Sequence, residues 1–335
     1  MGPLRFCVPA LACGSLLAGC GSGPHGFAMH EASVPAGVQA SASPSARATS
    51  SVDTTVAGAN ELGEIPVVMY HQIIARPGRD DRTPERFRAQ LQMFYDRGFR
   101  PITATDLVAG RIDVPVGMHP VVLTFDDSTV SQARIGSDGE PLPDTALGML
   151  QAFGHEHPDF HPTATFFINT YPPPFVDEQV MPWLVAHGYE IAAHTRSHAD
   201  LHHLDAQGVQ EEIGANLAEM QAAVPGYTVT TLAYPYGLRP VDHALALRGV
   251  YNGSNYCLTG AFGVDVIAAH PPYWSTFDPG WIPRVGTVDA DNLLESLRLH
   301  PERLYVSDGD PNTISFPPAE QAQFNPDWRS TDHHC

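Results

Sequence analysis

The sequence predicts an α/β fold in which a parallel sheet is covered by helices. Short apolar runs bounded by glycine or proline alternate along the chain with segments whose apolar residues recur at helical spacing. Polar residues follow directly after several of the apolar runs, as they do in a barrel whose active site is built from the carboxyl ends of its strands. These two observations predict alternating strands and helices with a functional site at one end of the sheet.

The individual elements follow from local pattern. Residues 65–70 are apolar throughout, which is typical of a strand buried on both faces. Residues 84–98 carry Phe87, Leu91 and Phe94 at helical spacing, with Gly98 as the stop signal. The other predicted strands are residues 120–125, 164–169, 190–193, 230–234 and 264–268. The other predicted helices are residues 105–110, 144–153, 181–187, 206–224 and 291–299.

Length and composition fit one large α/β domain with extensions at both ends. The chain has 335 residues and is 43% hydrophobic, so it can bury a full core. It has 37 acidic against 18 basic residues, and this negative charge argues against a nucleic-acid partner. We predict that the domain spans residues 64–307 and that the Pro-rich, polar residues 308–335 form a tail. Nothing in the sequence indicates an oligomeric state.

The N-terminus has the features of a secretion signal that ends in a lipid attachment site. Arg5 supplies a positive charge, and residues 6–17 form an apolar run too short to span a membrane. The string LLAGC, ending at Cys20, resembles the lipobox of bacterial lipoproteins. We therefore expect residues 1–19 to be a signal peptide and Cys20 to be lipidated; the alternative is an ordinary secretory signal. Both place the protein outside the cytoplasm, in the cell envelope if it is lipid-anchored.

The residues after Cys20 predict a tether between the lipid and the domain. Residues 20–63 are rich in Ala, Ser, Gly, Pro and Thr, and such a segment cannot offset its ordering entropy. Membrane contact would then come from the lipid anchor only. Cys257 and Cys335 could pair in an oxidising space, but Cys335 ends the predicted tail, so the sequence leaves this pairing open.

Two groups of residues that follow predicted strands can carry chemistry. Asp126 and Asp127 come directly after residues 120–125, and adjacent acids there are costly unless a cation compensates them, although such pairs also form turns. His194 and His198 are four residues apart, so both rings can reach one point from a helical turn. Two imidazoles and one carboxylate supply three protein ligands and leave positions open, which is typical of a catalytic metal site.

Together with two further segments, these groups resemble the polysaccharide deacetylases of carbohydrate esterase family 4, the NodB-homology domain. The string TFDD that ends at Asp127 matches the first motif of that family, and residues 194–198 match the second, His-Thr/Ser-x-x-His. Residues 232–237, which could otherwise be a simple Pro-Gly turn, match the third in part, and residues 163–168 look like an intervening strand. The resemblance covers residues 65–289 and implies a distorted (β/α) barrel with fewer than eight strands.

The resemblance also implies an activity and a set of roles. It indicates a metal-dependent hydrolase that removes N-acetyl groups from N-acetylhexosamine-containing polysaccharide, such as poly-N-acetylglucosamine, chitin-like polymers or peptidoglycan. The metal, most often zinc in the family although such a trio also accepts iron or cobalt, would polarise the acetamide and activate water. The base would be a carboxylate, and a backbone N–H would stabilise the oxyanion. The implied residues are the ligands Asp127, His194 and His198, the base Asp126, and Tyr236 beside Pro235 for the oxyanion.

The acid that protonates the leaving amine has two candidates. His71 follows the first strand, in a string that resembles the start of the poly-N-acetylglucosamine deacetylases, whose barrel is circularly permuted and whose N-terminal His takes this place. His300 ends a Leu-x-His string, as in much of the family, but it follows a helical pattern. We favour His71 because a strand end is where the barrel places catalytic groups.

Departures from the family pattern leave alternatives open. Ser128 stands where the family usually has glycine, and Ala233 stands where many members have the Arg that orients the base. Arg284 lies in a segment where the permuted subgroup has an Arg, so it is a candidate substitute. A glycan-binding protein without activity, or an esterase that removes O-acetyl groups from wall glycans, are therefore alternative functions.

Overall fold

The computed structural model describes residues 58–329, so the predicted signal peptide, Cys20, most of the tether and Cys335 lie outside the described residues. The strands are β1 Val67–Tyr70, β2 Phe99–Ile102, β3 His119–Asp126, β4 Thr165–Ile168, β5 Glu190–Ala193, β6 Thr231–Ala233, β7 Arg248–Tyr251, β8 Ser254–Cys257, β9 Gly260–Phe262 and β10 Val285–Gly286. The α-helices are α1 Pro84–Asp96, α2 Ala104–Val108, α3 Ala146–Glu156, α4 Val180–Ala186, α5 Ala206–Ala223 and α6 Thr287–Leu299.

Most of the strands belong to one parallel sheet. Its order is β10-β1-β3-β4-β5-β6-β9, with β2 paired to β3 outside this path. Parallel bridges between Phe262 and Ile282 and between Asp265 and Val285 link the two ends of the sheet. The chain therefore forms the distorted barrel with fewer than eight strands around its circumference that the sequence predicts, and the carboxyl ends of its strands meet at one rim.

Helices begin where side chains can satisfy their free N–H groups. Thr83 accepts a hydrogen bond from Arg86 N, and Pro84 occupies the first turn of α1. Thr145 caps α3 through Gly148 N, and Asp205 caps α5 through Gly208 N. These caps fix the point at which each connection from a strand becomes a helix.

Both faces of the barrel strands are buried, and alternate residues serve different cores. Val122 packs inside the barrel, whereas its neighbour Leu123 packs against the surrounding helices. Ala192 likewise lies inside, between Ile191 and Ala193 on the outer face. This explains why the strands are continuously apolar: each side chain has a core to enter, whichever way it points.

The structure corrects one predicted strand and adds others that the sequence interpretation lacks. Residues 264–268 do not form a strand; the strand is β9, which lies earlier and pairs with β6. Strand β2 is missing from the sequence interpretation, because its Arg100 and Pro101 interrupt the apolar pattern. The antiparallel hairpin of β7 and β8 is also missing, because its exposed residues carry little apolar signal.

The predicted tether and tail both extend too far into the ordered region. Leu62 is fully buried, and Glu61 accepts backbone hydrogen bonds from Asp308 and Ser315. Phe316 and Phe324 are buried beside one another, with ring centroids 5.2 Å apart. Their burial makes residues 308–329 part of the folded domain, although proline and polar residues dominate the segment and most of its residues are not buried.

Two further observations concern membrane-spanning helices and Cys257. Among the described residues, none of the helices combines the length and hydrophobicity needed to cross a bilayer. Cys257 is disulfide-bonded.

Candidate metal-dependent active site

The alternation of side chains along the barrel strands directs three polar residues into its interior. Asp126 lies two residues beyond Thr124 and four beyond the interior Val122, and His194 lies two beyond the interior Ala192. Arg284 lies two beyond the interior Ile282. Asp126 ends β3 and His194 directly follows β5, so the parallel strands bring both to one rim, and the long side chain of Arg284, which directly precedes β10, reaches Asp126 there.

Asp126 and Arg284 form a buried ion pair. Arg284 Nη1 donates to Asp126 Oδ1 at 2.6 Å and Nη2 to Oδ2 at 2.8 Å, while Arg284 is 0% and Asp126 2% exposed. Arg284 Nε also donates to Gly263 O at 3.2 Å, which fixes the plane of the guanidinium. Burial alone would raise the pKa of Asp126, but the charges of Arg284 and His194 outweigh it and lower that pKa to about 2. Asp126 is therefore ionised at neutral pH.

The predicted metal ligands come together beside this pair. One donor atom each from Asp127, His194 and His198 lies within 4.8 Å of the other two. Asp127 Oδ1 is 3.5 Å from His194 Nε2 and 3.3 Å from His198 Nε2, and it is buried without a hydrogen-bond partner. A buried, unpartnered carboxylate oxygen facing two imidazole nitrogens fits a divalent cation such as zinc.

The two histidines are prepared for this role in different ways. His194 Nδ1 lies 2.9 Å from Ala233 O, so it carries the proton and leaves the Nε2 lone pair free for a metal. Burial and the neighbouring His194 lower the pKa of His198, which favours the neutral ring that a metal requires. The Tyr236 ring meets His198 edge-to-face at 4.6 Å, and Pro235 is buried beside it.

His71 follows β1 at the same rim. It lies within electrostatic range of both Asp126 and Asp127, and its Nδ1 atom is buried without a partner. His300 lies elsewhere: it is exposed at the C-terminus of α6, and Arg303, three residues later, pairs with Glu64 just before β1. The structure therefore brings His71 and not His300 to the site end of the barrel.

Two buried amides at the site have no recognisable signal in the sequence. Asn169 donates through Nδ2 to the carbonyls of His194 and Thr195, and its N–H bonds Ser128 Oγ at 3.0 Å. Asn216, on α5, accepts from His194 N at 3.3 Å and donates to Ile168 O at 3.0 Å. Together they hold the backbone of the histidine motif against β4. A single sequence cannot identify them, because neither residue type nor spacing distinguishes them from ordinary loop and helix residues.

Comparisons with known proteins agree with this fold. Residues 113–250 match the family model "Polysaccharide deacetylase", whereas no curated protein matches the chain. The chain is similar to BC0361, a polysaccharide deacetylase from Bacillus cereus, with 20% identity and a TM-score of 0.52 over 70% of this chain and 69% of that one. It is also similar to the Streptococcus pyogenes deacetylase PplD, with 18% identity and a TM-score of 0.51 over 69% and 97% of the two chains.

A weaker likeness links the chain to IcaB from Ammonifex degensii, with 18% identity and a TM-score of 0.44 over 70% of this chain and 96% of that one. Residues 113–250 thus match the polysaccharide deacetylase domain, and the chain shares the fold of the first two structures.

Proposed function

We propose that the protein is a metal-dependent hydrolase that removes N-acetyl groups from N-acetylhexosamine units of a polysaccharide. The observation that carries the proposal is the cluster of Asp127, His194 and His198 donor atoms beside Asp126, a carboxylate held ionised by Arg284. Three protein ligands leave room for substrate and water, and a neighbouring charged carboxylate can accept a proton.

The roles of the residues follow from this geometry. Asp127, His194 and His198 would hold a divalent cation, which would polarise the acetamide carbonyl and lower the pKa of water. Asp126 Oδ2, which lies 3.7 Å from His194 Nε2, accepts a proton from the attacking water. Arg284 keeps both oxygens of Asp126 in one orientation throughout. Arg284 thus orients the proposed base, the role of the Arg that many members of the family have at the position of Ala233. This supports a catalytic protein over the alternative of a protein that only binds glycans.

The second proton transfer completes the reaction. As the carbon–nitrogen bond breaks, the ring of His71 donates a proton to the leaving amine, which yields acetate and a free amino sugar. The Tyr236 N–H is proposed to stabilise the oxyanion, since Tyr236 lies next to His198. The same groups could attack an O-acetyl ester. Assays with N-acetylated and O-acetylated polymers therefore decide which acetyl group the protein removes.

The decisive experiment replaces Asp126 by asparagine in zinc-loaded protein. Acetate release should fall by about 100-fold or more, because general-base catalysis typically contributes that much, while zinc content stays unchanged. Asp278→Asn is the control, since Asp278 is exposed, pairs with Arg239 at 3.7 Å and accepts a hydrogen bond from Gly280 N, which asparagine can also accept. Activity of the Asp126 variant equal to that of the control would remove Asp126 from the role of base.

The substrate is tested with wild-type protein and four acetylated polymers: chitin oligomers, poly-N-acetylglucosamine, peptidoglycan and acetylated xylan. Acetate from one of the first three supports N-deacetylation. Release from xylan alone would make the protein an O-acetyl esterase, and binding without release from any of them would leave the glycan-binding alternative.

We also propose that the protein is lipid-anchored in the cell envelope through Cys20. The support is the lipobox-like string that ends at this residue. Expression in a bacterial host with a labelled fatty acid should label the wild-type protein and not a Cys20→Ala variant. Equal labelling of both proteins, or of neither, would contradict this proposal.

A further inference from the structure

We infer that Gln132 is a positioning residue that fixes the strand ends carrying the proposed acid and base, His71 and Asp126, relative to each other. The inference rests on the proposed function for its catalytic consequence. Gln132 touches neither ring nor carboxylate, so it acts through the backbone of the two residues.

The inference starts from the point at which two neighbouring strands separate. The parallel pairing of β1 with β3 ends at Tyr70 and Phe125. His71 and Asp126 are the next residues on each strand, so the β1–β3 ladder no longer holds them together. Gln132 Nε2 donates to His71 O at 2.6 Å and also to Asp126 O. One side chain thus extends the link between the strands by one further residue.

The chemistry of this link requires an amide. A glutamine Nε2 carries two hydrogens, and here each is directed at one of the two carbonyls. Its Oε1 accepts from Thr129 N at 3.2 Å, so the same group also closes the turn that follows the acidic pair. A glutamate of the same shape has no hydrogen to donate when it is ionised, and a methionine has neither donor nor carbonyl acceptor.

The Gln132 side chain can hold the two carbonyls in place because hydrogen bonds fix the Gln132 backbone. Gln132 is 0% exposed, its N–H bonds Thr129 O at 3.0 Å, and its carbonyl accepts from Leu147 N at the start of α3 at 2.9 Å. The preceding residue, Ser131, adds a weaker tie, since its Oγ accepts from Ile73 N at 3.2 Å. The loop after β3 therefore holds the end of β1 at two points.

The functional consequence concerns the acid and base first. His194 and His198 lie on the far side of the site, after β5, and form no hydrogen bond with Gln132, but the Asp126 carbonyl belongs to the peptide group that joins Asp126 to the ligand Asp127. Loss of the link should therefore lower kcat at unchanged KM, because misplacement of reacting groups by about 1 Å can cost about 100-fold in rate, and kcat is compared at equal zinc content.

The test compares Gln132→Met and Gln132→Glu with a matched control, Gln90→Met. Gln90 is also a buried glutamine tied to β1, through Tyr70 Oη at 2.6 Å, but it lies on α1, outside the rim. Four quantities are measured in each zinc-loaded protein: kcat and KM for acetate release, zinc content, the midpoint of thermal unfolding, and hydrogen exchange of peptides covering residues 71–74 and 126–132.

We expect both Gln132 variants to lose about 10- to 100-fold in kcat at unchanged KM, with faster exchange in both peptides. Gln90→Met should unfold at a lower temperature but keep its kcat. A kcat within about twofold of the wild type in the Gln132 variants, or an equal loss in the control, overturns the inference.

Two outcomes need separate readouts. If neither Gln132 variant folds, Ser131→Ala decides, because it removes only the weaker tie: a kcat several-fold below the wild type supports the inference, and an unchanged kcat overturns it.

If the wild-type protein releases no acetate from any substrate, the proposed function fails and hydrogen exchange alone decides. Unaltered exchange in residues 71–74 and 126–132 of the Gln132 variants would then overturn the link itself.

Discussion

Replacing Arg284 by methionine should destabilise the protein strongly, because it leaves the Asp126 carboxylate buried without its countercharge. Arg284 is fully buried, and methionine fills much of its volume without supplying a donor. The variant loses two charge-assisted hydrogen bonds to Asp126 and the bond to Gly263 O.

The size of the effect follows from these contacts. Two hydrogen bonds between charged groups contribute about 1.5–3 kcal/mol each. Removal of one partner of a buried pair typically costs about 3–5 kcal/mol in the free energy of unfolding, which agrees with that sum. In a domain of this size, such a loss lowers the midpoint of thermal unfolding by about 6–20 °C.

Denaturant unfolding of four zinc-saturated proteins tests this reasoning: the wild type, Arg284→Met, Asp126→Asn and the double variant. Once Asp126 is neutral, removal of Arg284 leaves no uncompensated carboxylate, so the double variant should be more stable than the sum of the single losses predicts, by about 2 kcal/mol or more. Additive losses, or a loss below about 1 kcal/mol in Arg284→Met, would show that the pair does not hold the site together.

Three further predictions follow from other parts of the structure. His198→Ala should lower zinc affinity by about 10-fold or more, measured by chelator competition, whereas the exposed His202→Ala should not change it. Phe316→Ala should destabilise the domain by about 3–5 kcal/mol in denaturant unfolding, because the side chain is 2% exposed; a loss below about 1 kcal/mol would restore residues 308–329 to a tail. Burial raises the pKa of Glu61 from 4.5 to about 7, so its protonated form stabilises the fold at low pH. This stabilisation, about 3 kcal/mol, is lost as pH rises from 4.5 to about 7. The difference in unfolding free energy between wild type and Glu61→Gln should change by that amount over the same pH range. A difference that stays constant with pH would contradict the prediction.

The sequence predicts the barrel strands well where both faces of a strand carry apolar side chains. Residues 190–193 are predicted as a strand and form β5 with the same bounds. The parallel sheet follows from such strands alternating with capped helices. Strand β2 escapes prediction because Arg100 is buried through its pair with Asp159, at 2.7 Å, a long-range contact that local pattern cannot reveal.

The sequence predicts the metal ligands of the candidate site better than the residues that position the proposed acid and base. Asp127, His194 and His198 follow from motif spacing, and the structure brings their donor atoms together. Arg284 is only a candidate in the sequence, because more than 150 residues separate it from Asp126; the structure resolves its partner. Gln132 has no sequence signal at all, since its role depends on two carbonyls that only the folded sheet brings within reach.

Backbone strain and a buried hydrogen bond act in opposite directions at one departure from the family pattern, Ser128. Five residues in or next to the motifs have positive φ, a conformation that costs most side chains energy and that is common at functional sites. They are Asp127 (77°), Ser128 (53°), Thr195 (62°), His198 (58°) and Tyr236 (59°). At Ser128 glycine would adopt this conformation without strain, which fits the glycine usually found there in the family. The serine instead supplies Oγ to the N–H of Asn169, at 3.0 Å in a buried position.

Two substitutions at Ser128 separate the strain from the hydrogen bond. Ser128→Ala keeps the strain and loses the bond, so it should cost about 1–3 kcal/mol in the free energy of unfolding, the penalty of an unpaired buried N–H. Ser128→Gly loses the same bond but relieves the left-handed conformation, which is worth about 1 kcal/mol, so it should be the more stable of the two variants by about that amount. Denaturant unfolding measures both. If the glycine variant is as unstable as the alanine variant, or less stable, then the positive φ of Ser128 stores no strain, and the hydrogen bond to Asn169 alone would account for the serine.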